Sequence, residues 1–155
     1  MNGILAILIV LGTLAGMEIV SWAMHKYLFH GPLWFIHQTH HQQKHGFFEW
    51  NDIFSLLFGG LAITLMWLGH DVLDYKFWIG LGISVYGLIY FVFHDWFIHQ
   101  RLKPFKSNNL YLKGIRRAHK IHHKSLDKNE SEEFGLLSAS KKYFKTATKT
   151  QDTEF

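Results

Sequence analysis

The stretch Met24 to His41 reads MHKYLFHGPLWFIHQTHH and holds five of the chain's twelve histidines. Its first box, HKYLFH, sets His25 and His30 five residues apart; its second, HQTHH, contains His37, His40 and His41. Both patterns return in the same order: HDWFIH holds His94 and His99, and HKIHH holds His119, His122 and His123. On an α-helix, residues three and four apart share a face, so each triad presents three imidazoles together. Two such helices facing each other bring six imidazoles into one place. Five residues turn an α-helix by roughly 500°, which leaves the rings of each pair about 140° apart. Each pair is therefore expected to straddle a site, one ring for each of two metals, or else to mark a helix end.

The chain has no cysteine, so no disulfide forms and no thiolate ligates a metal. Nitrogen and oxygen must supply every ligand, and imidazole suits zinc, copper, iron and nickel. Ten imidazoles exceed what one ion takes; two metals with about five ligands each is the economical count. A structural zinc site uses about four ligands and would leave the others over. His45 and His70 fit no box and are read as non-ligands.

Outward from the boxes the chain is apolar. Gly3 to Ala23 is interrupted only by Thr13, Glu18 and Ser21, and runs over Ile53–Gly69 and Phe77–Phe93 follow. These lengths match the roughly 17 to 25 residues of a membrane-crossing helix. The first run lacks a basic leader and a small-residue cleavage site, so it reads as a span and not a signal peptide. His70 to Lys76 make a tight connection, and Asn51 or Asp52 is placed to cap the second span. Trp22, Trp50, Trp67 and Trp78 fall at span ends, where an amphipathic ring favours the interface. The expected fold is all-α: one domain over residues 1–140, a membrane bundle of about three transmembrane helices with a histidine-rich helical cap, and a flexible tail over 141–155. Of sixteen Lys and Arg only Lys26, Lys44 and Lys76 precede His94. The positive-inside rule then puts the boxes and the C-terminus in the cytoplasm and the His70 connection outside. Nucleic acid is the weakest candidate partner for the basic tail, since no aromatic-interleaved basic module occurs; bilayer lipid or an acidic protein fits better.

Three further features bear on function. Glu18 lies within a span, seven residues before His25 and on its face, and is a candidate to hydrogen-bond a ligand histidine. Asp95, beside His94, is a candidate for the same role. Arg116, Arg117 and Lys120 adjoin the last box, where they could dock an acidic electron donor or meet lipid headgroups. Gly12 and Gly16 form a GxxxG pair suited to close helix packing.

MHKYLFHGPLWFIHQTHHQQKHGFFEWNDIF (Met24 to Phe54), HDWFIHQRLKPF and RRAHKIHH together resemble the membrane fatty acid hydroxylase and sterol desaturase superfamily, and within it the bacterial β-carotene hydroxylases. The likeness runs from about Glu18 to Ser140. It implies a non-haem di-iron centre held by His25, His30, His37, His40, His41, His94, His99, His119, His122 and His123. It also implies a bacterial inner-membrane monooxygenase that hydroxylates C3 of β-ionone rings, taking β-carotene to β-cryptoxanthin and zeaxanthin with O₂ and with electrons from NADPH through ferredoxin and its reductase. One departure is present: Phe134-Gly135-Leu136 matches the family's Phe-Gly-Phe-like segment, but Ser138-Ala139-Ser140 stands where Ala-Pro-Pro is usual. The competing readings are a hydroxylase or ketolase of another membrane lipid and, from a different class, a metal-handling membrane protein. A transporter would need ligands along a path near the bilayer midplane, whereas these boxes sit at one face.

Overall fold

The computed structural model describes residues 1–42, 48–102, 107–128 and 131–145, and among them every regular element is helical. Helix α1 (Gly3–Ala23) begins at Asn2, whose Oδ1 accepts from Ile4 N at 2.9 Å. It passes without a break into a π-helical segment, Met24–Phe29. The short α2 (Trp34–His41) follows, then α3 (Asp52–Gly69) and α4 (Tyr75–Tyr90). Helix α4 also runs on as a π-helix, Phe91–Ile98. Helix α5 (Leu110–His122) is capped by Asn109, and a 3₁₀ turn covers Lys141–Phe144.

Three helices are long and apolar enough to cross a membrane: Gly3–Phe29, Asp52–Gly69 and Tyr75–Ile98. Their large apolar side chains stay outside the bundle; Ile4, Ile7, Leu8, Leu56, Leu57, Ile63 and Leu88 are all exposed. That suits lipid as the solvent, because burial from water is then supplied by the bilayer. At 1.5 Å per residue the 27 residues Gly3–Phe29 extend about 40 Å, beyond a hydrocarbon core of about 30 Å, so the π segment with its histidines emerges at the interface.

Helix α4 is the middle of the bundle, with α1 on one flank and α3 on the other; α1 and α3 do not pack directly on each other. Two glycines permit this. A Cβ on Gly80 would meet the Ala62 carbonyl and Met66 of α3, and one on Gly82 would meet Thr13 of α1. Close approach is thus built from α4 on both sides. Gly12 and Gly16, by contrast, face open space, so the GxxxG pair packs on no other helix among the described residues.

The loop that follows α5 returns over the bundle end. Glu18 is its anchor in α1: Oε2 accepts from Tyr86 OH and Oε1 from Leu137 N, each at 2.9 Å. The segment expected to be a free tail begins with order. Tyr143 is buried, Phe144 stacks on Tyr111 of α5, and Arg117 donates to the Tyr143 and Lys145 carbonyls. Residues 146–155 lie outside the described residues, as does His45.

Candidate metal centre

The two π segments coincide with the two five-residue boxes. His30 N donates to His25 O at 3.1 Å and His99 N to His94 O at 2.9 Å, so the π-type hydrogen bond joins the two histidines of each box. The wider turn brings both rings to one side, with centroids 5.3 Å apart for His25 and His30 and 4.5 Å for His94 and His99. The pairs therefore do not straddle two sites, a reading that assumed α-helical winding; the alternative of a helix end holds, since His30 and His99 are the C-caps of the two segments. The triads do the straddling. His37 and His41, one turn apart, face one cluster while His40 faces the other; in α5, His119 and His123 face one and His122 the other.

Two clusters result. His25, His30, His37, His41 and His122 form one; His40, His99, His119 and His123 form the second, and within each the donor nitrogens all lie within 4.8 Å of one another. His94 joins the second, its Nε2 3.2 Å from that of His40. All ten box histidines thus converge at one end of the spans. His70 lies at the other end of α3, about 27 Å from its start by helical rise, where it bonds Trp67 O and Asp71.

The hydrogen bonds decide the protonation of these rings. Nδ1 of His25 faces Phe134 O at 2.9 Å, His30 faces Lys128 O at 3.0 Å, His41 faces Ser125 O at 3.1 Å and His122 faces Glu132 O at 2.8 Å. A carbonyl only accepts, so each Nδ1 carries the proton. His37 Nδ1 meets Asn51 Oδ1 at 2.9 Å, and His40 and His94 meet carboxylates, Glu49 at 2.7 Å and Asp95 at 2.8 Å. Burial keeps the rings neutral. It depresses His37 to about 3, His41 to about 4 and His122 to about 2, with neighbouring imidazoles pushing the same way. His40, His99, His119 and His123 are lowered for the same two reasons.

A neutral ring with its proton on Nδ1 offers a lone pair at Nε2, and the lone pairs point at one another. Nε2 of His30 and His122 stand 3.2 Å apart, His25 and His37 3.1 Å, His40 and His94 3.2 Å. Between two neutral rings that each donate through Nδ1, as in His30 and His122, no N–H···N bond can form. His123 Nε2 is buried with no hydrogen-bond partner among the described residues. Facing lone pairs and an orphaned buried nitrogen are what a cation would satisfy, so the donor set fits metal ions.

Sequence reasoning missed Glu49, Asn51 and Arg101. Asn51 sits at the N-cap position of α3 yet spends its side chain on His37, and Asp52 instead accepts from Glu49 N at 2.8 Å. Arg101 pairs with Glu49 at 3.1 Å and Asp52 at 2.9 Å and approaches Asp95 at 3.8 Å. Burial opposes its charge, but these carboxylates outweigh that and hold the guanidinium protonated. The signal was polar residues inside the aromatic run FFEWND and just after the third box. Asp95 Oδ1 lies 2.8 Å from His94 Nδ1, whereas Glu18 binds Tyr86 and the Leu137 amide instead of a histidine. Arg116 lies over Phe97 and Arg117 holds the 3₁₀ turn, so of the three basic residues Lys120 alone is exposed.

Fold and site together define a helical membrane protein with paired imidazole clusters, able to hold metal ions, at one bundle end. The chain belongs to the fatty acid hydroxylase family, which it matches over residues 10–146. It is 41% identical over 134 residues to a β-carotene hydroxylase of Pantoea ananas, covering 85% of this chain and 76% of the relative. A β-carotene hydroxylase of a Paracoccus species is 37% identical over 135 residues, 85% and 83% of the two chains. The chloroplastic β-carotene 3-hydroxylase 1 of Arabidopsis thaliana is 35% identical over 135 residues, which is 84% of this chain and 43% of that longer protein. No solved structure matches.

Proposed function

We propose that this chain is a membrane monooxygenase that hydroxylates C3 of the β-ionone rings of β-carotene, giving β-cryptoxanthin and then zeaxanthin. The observation that carries the reading is the convergence of ten histidines in two adjoining clusters at the head of a cavity between the spans. The similarity to curated β-carotene hydroxylases over most of both chains supplies the substrate class.

Two iron ions would be held by His25, His30, His37, His41 and His122 and by His40, His94, His99, His119 and His123. When bound, iron supplies the activation of O₂ that cleavage of an unactivated C–H bond demands. The chain's own residues orient, exclude and position. Carbonyls of Ser125, Lys128, Glu132 and Phe134 fix the ring planes of the first cluster, while Glu49 and Asp95 do so for His40 and His94. Phe29 stacks on His37 and packs at a tilt against Phe54 of α3, placing an apolar ring between the first cluster and the spans. Electrons arrive from NADPH through a ferredoxin-type donor at the exposed side of the helical cap. The clusters and C-terminus lie in the cytoplasm, given where Lys and Arg fall, and residues 1–140 act as one domain.

Expression in β-carotene-accumulating cells tests this. Zeaxanthin should appear, preceded by β-cryptoxanthin, and heavy-isotope O₂ should label both hydroxyls. Unchanged pigments with newly hydroxylated acyl chains would replace the carotenoid by another lipid; neither change, with bound metal tracking supply, would favour metal handling.

A further inference from the structure

Helices α1 and α3 flank α4 without packing on each other, and the space between them is a cavity of about 320 Å³. Met17 and Ser21 of α1 form one wall, Phe58 and Gly59 of α3 the other, and Tyr86 and Gly87 of α4 lie between. A smaller cavity continues from it. The two share Ser21, Phe29, Asn51 and Tyr90, and the smaller touches His25 and His37 of the first cluster and His94 of the second. A path bordered by these four residues therefore leads from between the spans to both clusters.

Two wall residues keep the path wide. A Cβ on Gly59 or on Gly87 would meet nothing within 4 Å, although each lies inside a helix where alanine is the better former. Neither glycine is needed for a turn or a close contact. What they leave is room.

We infer that the crevice between α1 and α3, held open by Gly59 and Gly87, admits one terminal ring of the carotenoid sideways from the bilayer to the histidine clusters while the polyene trails into lipid. The size fits: an apolar cavity of roughly 150 Å³ takes benzene, so this one accommodates a methylated cyclohexenyl ring and not the whole substrate. The inference rests on the carotenoid reading above.

The test is a graded series, Gly59→Ala, Gly59→Leu, Gly87→Ala and Gly87→Leu, with Gly60→Leu as control. Gly60 also has open space around it but does not line the cavity. Each variant is measured for β-carotene turnover, bound metal, helicity and thermal midpoint. The leucine variants should keep metal and helicity yet lose kcat/KM by roughly ten-fold or more, the scale on which a pocket reads added methylenes. The alanine variants should lose less activity while their midpoints hold or rise, a combination that a purely structural role for the glycines does not produce. Gly60→Leu should match the parent. Metal-loaded leucine variants with full turnover would overturn the inference and leave the carotenoid reading intact. Should the leucine variants lose their fold, undiminished turnover in both alanine variants would overturn it equally. A metal-loaded parent that leaves β-carotene untouched would remove the carotenoid reading, and this inference with it.

Discussion

His30 and His122 each give their Nδ1 proton to a backbone carbonyl, and their Nε2 atoms then face each other across 3.2 Å. His122 is wholly buried, at 0% exposure. Removing its ring takes one ligand from the first cluster and frees the Glu132 carbonyl. His122→Ala is expected to bind less than two metals per chain and to lose turnover, measured by elemental analysis and product formation. His70→Ala should keep both, since that ring lies on the far side of the spans; an inactive, folded His70→Ala protein would refute the ligand assignment. Glu49 makes a finer test. It accepts from His40 and pairs with Arg101, so its charge raises the basicity of the ring beyond. Glu49→Gln keeps the shape and removes the charge. Metal affinity at the second cluster should fall about 10- to 100-fold, with the first cluster unchanged, in a stepwise metal titration.

At the scale of the element, the π segments are what the sequence concealed. The spans and the convergence of the four boxes were legible, because apolar length and i, i+3, i+4 spacing translate directly into helices; that each triad divides between two clusters was not. The pairing of His25 with His30 was not, since spacing alone does not say whether five residues wind as one and a half α turns or close as one π turn. Glu49 and Asn51 stayed hidden for a related reason: their partners lie 9 and 14 residues away and meet them only once α2 and α3 are placed. The winding is testable. One alanine inserted after Tyr27 breaks the His30 N to His25 O bond and carries His30 about 100° further round the axis if the segment is α-wound. Bound metal should drop from two to one, with helicity kept. Deleting Leu28 should do less harm, because four-residue spacing on an α-helix still leaves both rings on one face. Equal loss from both changes would contradict the π assignment.

For the whole molecule, orientation and acid stability follow from how charge is distributed. Reporter fusions at Phe155 and within His70 to Lys76 should report opposite sides of the membrane, the first cytoplasmic; the same side for both would exclude three spans. The acid response comes from the neutral imidazoles. Burial lowers His37 to about 3 and His41 to about 4, while an unfolded chain's histidines titrate near their ordinary 6.5. Between these values the unfolded state binds more protons than the folded one, so stability rises with pH through that window. Above about pH 6.5 the contribution is complete, and it is lost progressively as the pH falls toward 3 to 4. At about pH 4.5, two units below the unfolded value, His37 alone accounts for up to ~3 kcal/mol. Bound metal adds to the slope, because protons compete for the same Nε2 lone pairs. The metal-free protein in detergent should therefore lose thermal stability steadily from pH 7 to pH 4.5, and the loaded protein should release metal across the same range. A flat profile over that interval, followed by circular dichroism and by metal in the filtrate, would mean that the rings are not held neutral.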